Sequence, residues 1–171
     1  MIVRDILVPM TQWLDADEMA AWLGMVTVHA DLMAELEDDL MDLHGISAGE
    51  YGVLVNLSAA PDDRLRMCDL AARLHLSPSG LTRRLDGLVR DGLVAREPAA
   101  DDRRVIMAVL TPLGRARLEA AAPDHVAGVR RAFLDHMTRA QIRQMGAAFA
   151  AVATGREAAA AARPDALADA S

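Results

Sequence analysis

The residues best suited to chemistry lie between Ser77 and Arg104. With residues 78–90 set on a helix at about 100° per residue, Leu81, Leu85 and Leu88 share one side. Ser79, Thr82, Arg83, Asp86 and Arg90 share the opposite side, with Arg84 at its margin. Small hydroxyls can donate or accept at base edges, and a guanidinium can bind guanine O6/N7 or a phosphate. Ser77 before Pro78 is an N-cap pattern, and a helix N-terminus favours a phosphate through its unpaired N–H groups. Asp86 opposes that use; the spacing predicts that it pairs with Arg83 or Arg90 on the same helix. Further along, Asp101-Asp102-Arg103-Arg104 sets two guanidiniums at the tip of a predicted hairpin, where a narrow A·T minor groove would attract them. Arg104 is the better minor-groove candidate, and Asp102 is expected to orient an arginine or the loop backbone. The alternative is a merely solvated helix face.

Charge distribution favours the first of these readings. The 171-residue chain has a net charge of −7, which alone argues against a nucleic-acid partner. Residues 1–63, however, carry one Arg against thirteen acids, while residues 64–104 carry nine Arg against six. Such asymmetry fits a nucleic-acid module joined to an acidic interaction region. All eighteen basic residues are Arg. The single cysteine, Cys68, excludes an internal disulfide and fits a reducing compartment, the cytoplasm. Uncharged runs such as Met19 to Ala30 fall short of the ~20 apolar residues that span a bilayer. The N-terminal MIVRDILVPM has no small-residue cleavage site after it and reads as a tail, not a signal peptide. The organised part begins just after Met10, itself a candidate start.

The elements that must position these groups are mostly helical. Asp15 and Glu18 make a capping box before Met19, Trp22, Val26, Met33, Leu36, Leu40 and Leu43, an apolar stripe that predicts a long helix ending near Gly45. Ser47 and Glu50 open a second helix, through about Ser58. Leu65 to Met67 is a short extended segment, and a helix carrying Leu70, Ala71 and Leu74 ends near His75. The helix from Pro78 stops at Gly92. Leu93–Glu97 and Val105–Leu110 then form a two-stranded ribbon. Thr111-Pro112 starts a helix expected to bend at Pro123 and reach about Met137. Thr138 and Gln141 cap a last helix with Ile142, Met145, Phe149 and Val152 inward. This order predicts a mostly α (α+β) fold, with a winged helix-turn-helix between outer helices too apolar to stand alone.

The segment LAARLHLSPSGLTRRLDGLVRDGLVAREPAADDRRVIMAVLTPLG, Leu70 to Gly114, resembles the DNA-binding core of MarR-type regulators. The likeness rests on the Ser-Pro-Ser-Gly-Leu-Thr turn, the Gly-Leu-Val-x-Arg strand, the Asp-x-Arg wing and the closing Leu-Thr-x-x-Gly, in that order and spacing. TQWLDADEMAAWL and AAPDHVAGVRRAFLDHMT are similar to stretches of actinobacterial members. The resemblance implies a homodimer whose first and last helices intertwine, with two winged modules set on pseudo-palindromic double-stranded DNA, and a repressor's role. It places DNA contacts on Ser77, Ser79, Thr82, Arg83 and Arg84, and its wing motif on Asp102 and Arg104; Arg90 and Arg103 join them from the helical face and the hairpin tip. The expected layout is an N-terminal tail at 1–14, helical dimerisation regions at 15–60 and 111–154, the winged module at 61–110, and a flexible tail at 155–171.

Members of such a family commonly take a small phenolic or anionic effector between the dimerisation helices and the winged module. Trp22, Met25, His29, Met33, Tyr51 and Val55 are the candidate contacts, with ordinary core or dimer interface as the alternative. His125 and His136 stand eleven apart, about 16 Å along one helix, so no metal site is expected and no cofactor. There is no Gly-rich phosphate loop, nucleophile elbow or paired-His motif, which excludes the commoner enzyme classes. The remaining alternatives are a redox- or metal-responsive winged-helix dimer and an interaction module without DNA binding.

Overall fold

Local signals set where each helix begins. In the computed structural model, which describes residues 12–161, α1 spans Ala16–His44. Asp15 Oδ1 accepts from the N–H groups of Asp17 and Glu18 at 2.9 Å, and the Glu18 carboxylate accepts from the Asp15 N–H at 2.9 Å. Gly45, at φ 62°, ends the helix in the left-handed conformation that glycine adopts without steric cost. α2 (Ala48–Ser58) opens with the reciprocal Ser47–Glu50 box. A 3-10 turn at Pro61–Asp63 leads into β1 (Arg64–Arg66) and α3 (Met67–Arg73). α4 (Pro78–Arg90), β2 (Val94–Pro98), β3 (Ile106–Leu110) and α5 (Pro112–Ala132) follow, then a 3-10 turn at Leu134–His136 and α6 (Arg139–Ala161).

The helical order and the winged helix-turn-helix agree with the sequence reading; three details differ. The ribbon has a third strand, because β1 pairs antiparallel with β3, Leu65 opposite Ala108, on the edge that β2 leaves free. α5 stops at Ala132 rather than near Met137, where a 3-10 turn intervenes before the Thr138–Gln141 box that starts α6. The expected flexible tail from Gly155 is helical as far as Ala161, since a run of alanines has the highest intrinsic helix propensity. The rest of that tail, 162–171, and residues 1–11 of the N-terminal tail lie outside the described residues.

The chain divides into two units between Gly128 and Val129. The first has one core, built on Leu40, Val53, Leu54, Leu57, Leu70, Leu81, Leu85, Leu88, Val94 and Ala108. Each fully buried leucine of this set stabilises by about 1.5–3 kcal/mol, and no aromatic ring is among them. Only Leu36 and Leu40 of the α1 stripe are buried. Trp22, Leu23, Met25, Val26 and Val28 are exposed among the described residues. In the second unit α6 buries no residue, and Phe149 and Val152, expected inward, are exposed.

One junction holds the wing to the long α5. The Thr111 hydroxyl donates toward Gly92 O at 2.7 Å and Leu93 O at 3.1 Å, while accepting from the Gly114 N–H at 3.0 Å. A Cβ on Gly114 would run into the Leu93 carbonyl oxygen, a backbone atom that cannot swing aside. We expect Gly114→Ala to cost about 1–3 kcal/mol through this overpacking. A chemical denaturation midpoint equal to the parent's would refute it.

Candidate nucleic-acid interface

Burial of Leu81, Leu85 and Leu88 against the core decides which face of α4 looks outward. That face carries Ser79, Thr82, Arg83, Asp86 and Arg90, all exposed. Ser77 caps the helix, its hydroxyl oxygen accepting from the Gly80 N–H at 3.1 Å, and it lies 3.3 Å from the Ser79 hydroxyl. The Thr82 hydroxyl donates back to Pro78 O at 2.9 Å, leaving its lone pairs outward. Arg83 has no ion-pair partner among the described residues.

Two arginines grouped with this face sit differently. The Arg84 guanidinium turns back onto α2: a Cβ built on Gly49 would lie 2.6 Å from Arg84 Cζ. Nearby, a Cβ on Gly87 of α4 would lie 3.0 Å from Glu50 Oε1 of α2, so each glycine makes room for a charged side chain of the other helix. Arg90 is exposed and pairs with its neighbour Asp91 at 3.4 Å, a contact worth little in water. Asp86 does not pair with Arg83 or Arg90, although its helical spacing predicted one of these pairs. Arg96 of β2 reaches it instead, Nη2 to Oδ1 at 2.8 Å, and donates also to Thr82 O at 3.1 Å. Strand-to-helix contacts of this kind leave no period in the sequence, where Arg96 figures only as the last residue of the Gly-Leu-Val-x-Arg strand.

At the wing tip, Asp102 Oδ1 accepts from the Arg104 backbone N–H at 2.9 Å, and Asp101 Oδ1 from the Asp102 N–H at 3.1 Å. Asp102 therefore orients the loop backbone, as its place in the sequence suggested. Arg103 and Arg104 are exposed and carry no ion pair among the described residues. Arg64 and Glu97 pair at 3.6 Å across the sheet. Asp69 accepts from the thiol of exposed Cys68 at 3.5 Å. Each of the six carboxylates between residues 64 and 104 thus has a partner of its own, while Arg83, Arg103 and Arg104 point to solvent unpaired.

The candidate effector contacts fall into two settings. Trp22, Met25, His29 and Met33 lie along the exposed side of α1. Tyr51 and Val55 are one turn apart on α2; Tyr51 is half-buried and its ring meets His125 of α5, centroids 4.5 Å apart. Burial pushes the Tyr51 phenol up and the His125 imidazole down from their ordinary pKa values. His125 Nδ1 is buried and has no hydrogen-bond partner among the described residues. His44 Nε2 lies 2.9 Å from Asp124 Oδ2, and Arg117 donates to the His44 carbonyl at 2.6 Å. His125, weighed in the sequence only as a metal ligand, belongs with Tyr51, which the separation of α2 and α5 along the chain concealed. Among the described residues no three His, Cys, Asp or Glu side chains are placed to hold a metal ion, and no helix is long and apolar enough to cross a membrane.

Comparison with known proteins agrees with this geometry. A family model described as MarR family matches residues 44–105. The HTH-type transcriptional repressor YetL of Bacillus subtilis is 34% identical over 112 residues, and the match covers 66% of each chain. The HTH-type transcriptional regulator YkoM of the same organism is 32% identical over 90 residues, 53% of this chain and 57% of that one. The matches thus leave a third or more of both curated relatives unspanned. Among solved structures, AbsC, a MarR family transcriptional regulator from Streptomyces coelicolor, is 36% identical with a TM-score of 0.79, covering 86% of this chain and 99% of that one. Sco3205, another from the same organism and solved in complex with DNA, is 33% identical with a TM-score of 0.79, covering 86% and 92%. With its winged module and the length of the match to AbsC, this chain belongs to the MarR family of transcriptional regulators.

Proposed function

We propose that the chain is a homodimeric, cytoplasmic repressor that reads a pseudo-palindromic operator with α4 and the wing, and that a small phenolic or anionic effector releases it. The observation that carries the DNA-binding part is the division of charge described above. Carboxylates in the winged segment are engaged within the protein, while Arg83, Arg103 and Arg104 face outward beside the hydroxyls of Ser79 and Thr82. On this reading Ser79, Thr82 and Arg83 face base edges, Ser77 and the start of α4 meet a phosphate, and Arg104 enters the minor groove. Arg84, held on α2, is left out, and Arg90 serves at most a phosphate. YetL's name as a repressor and the DNA complex of Sco3205 support the same reading.

Fluorescence anisotropy with a duplex from the protein's own promoter region, beside a scrambled duplex and at two salt concentrations, tests it. Binding should prefer the promoter and weaken steeply with salt. Arg83→Ala should cost about 1–3 kcal/mol and narrow the preference between duplexes, and Arg104→Ala should weaken A·T-flanked sites selectively. Isotherms unchanged in both variants would refute this docking.

The dimer rests on the uncovered apolar residues of α1 and α6, with residues 15–60 and 111–154 as the dimerisation region around a winged module at 61–110. Contiguous exposed apolar patches mark interaction surfaces, and a two-fold dimer would set its recognition helices about 34 Å apart for successive major grooves. Light scattering at micromolar concentration should give twice the chain mass, and a folded monomer would exclude the dimer.

For the effector, Tyr51 and His125 offer a ring face, a phenol and an unpartnered ring nitrogen, the mixture of apolar wall and few polar groups that small ligands use. Trp22, Met25, His29, Met33 and Val55 are proposed as its further walls. Phenol or benzoate added to the protein–duplex complex should release the duplex, and Tyr51→Ala should lose the response. No release by either probe would count against an effector of this class.

A further inference from the structure

We propose that Arg96 is a positioning residue for DNA binding, a clamp that fixes the wing on the recognition helix and masks the one carboxylate on its DNA-facing side. The inference rests on the reading that α4 and the wing bind DNA. Arg96 shares a face of β2 with Val94, which is buried in the core, and sits two residues before the strand ends at the root of the wing loop. From there one nitrogen, Nη2, spends its two hydrogens on two acceptors one helical turn apart, Thr82 O at 3.1 Å and Asp86 Oδ1 at 2.8 Å.

Both acceptors belong to the segment of α4 that carries Thr82, Arg83 and Asp86, so the wing's approach angle is set directly against the base-reading surface. The pair is not there for stability: Arg96 is 31% and Asp86 57% exposed, and ion pairs in such settings contribute little to folding. Without Arg96, Asp86 would present an unpaired negative charge to the polyanionic duplex beside the base edges that Arg83 faces. Past Arg96, the one ion pair that holds the wing among the described residues is the exposed Arg64–Glu97 contact. The position of Arg104 over the minor groove therefore depends on the clamp.

The test is a double-variant cycle by anisotropy on the promoter duplex with the full chain, with thermal melts to confirm folding. Arg96→Gln should lower affinity by about tenfold while the melting temperature stays near the parent's. Arg104→Ala should cost about tenfold in the parent and less than about threefold in the Arg96→Gln background, because an unseated wing has little left to lose. The double variant should also keep the salt slope of Arg104→Ala. Asp86→Asn, which removes the clamp from its other end, should erase the Arg104 dependence in the same way. Losses that multiply, with a salt slope shallower by about one further unit, would put Arg96 on a phosphate and overturn the clamp. So would parent-like affinity in Arg96→Gln. Failure of the parent chain to bind any duplex overturns instead the DNA-binding reading itself, and is seen before any variant is made.

Discussion

The row of Leu81, Leu85 and Leu88 is the contact on which the rest depends. By burying one side of α4 against α2, α3 and the sheet, it leaves a single outward face, and the side chains of that face follow from the helical period. A rotation of α4 by one residue would bury Thr82 and expose leucine, at a cost of several kcal/mol in lost burial and unmet hydrogen bonds. The hydroxyls and Arg83 are thus held outward by what lies beneath them. Thr111 completes the frame, tying Gly92 and Leu93 at the start of the wing to the first turn of α5.

On that frame, charge is sorted rather than accumulated. An acidic chain presents a basic surface because its carboxylates in the winged segment are satisfied locally, by loop N–H groups at the tip, by the Cys68 thiol at Asp69 and by arginines elsewhere. Among the described residues, the acids that precede Arg64 lie in α1 and its N-cap, in α2 and in the turn that follows. A guanidinium stays charged throughout the physiological pH range, so a surface built only from arginine keeps its character where a histidine surface would not.

Much of this was legible in the sequence. The Asp15–Glu18 and Ser47–Glu50 boxes, Ser77-Pro78, Gly45 and Gly92 mark helix ends by local chemistry, and each is found where that chemistry puts it. The leucine spacing of α4 gave the outward face. What the sequence could not reveal depends on tertiary contact: the third strand, the turning of Arg84 onto Gly49, the capture of Asp86 by Arg96, and the meeting of Tyr51 with His125. The apolar periods of α1 and α6 implied burial, whereas among the described residues most of those side chains are exposed.

The interlock of α2 and α4 has a mechanical consequence. With the Arg84 guanidinium seated over Gly49, and Glu50 over Gly87, neither helix can slide along the other without lifting a charged side chain from its notch. The two helices are therefore geared: a tilt of α2 is transmitted to α4 as a displacement of the whole rod rather than absorbed at the seam. Since α2 also bears the Tyr51 ring that meets His125, a displacement of that ring would be felt at the outward face of α4, some distance from where it began.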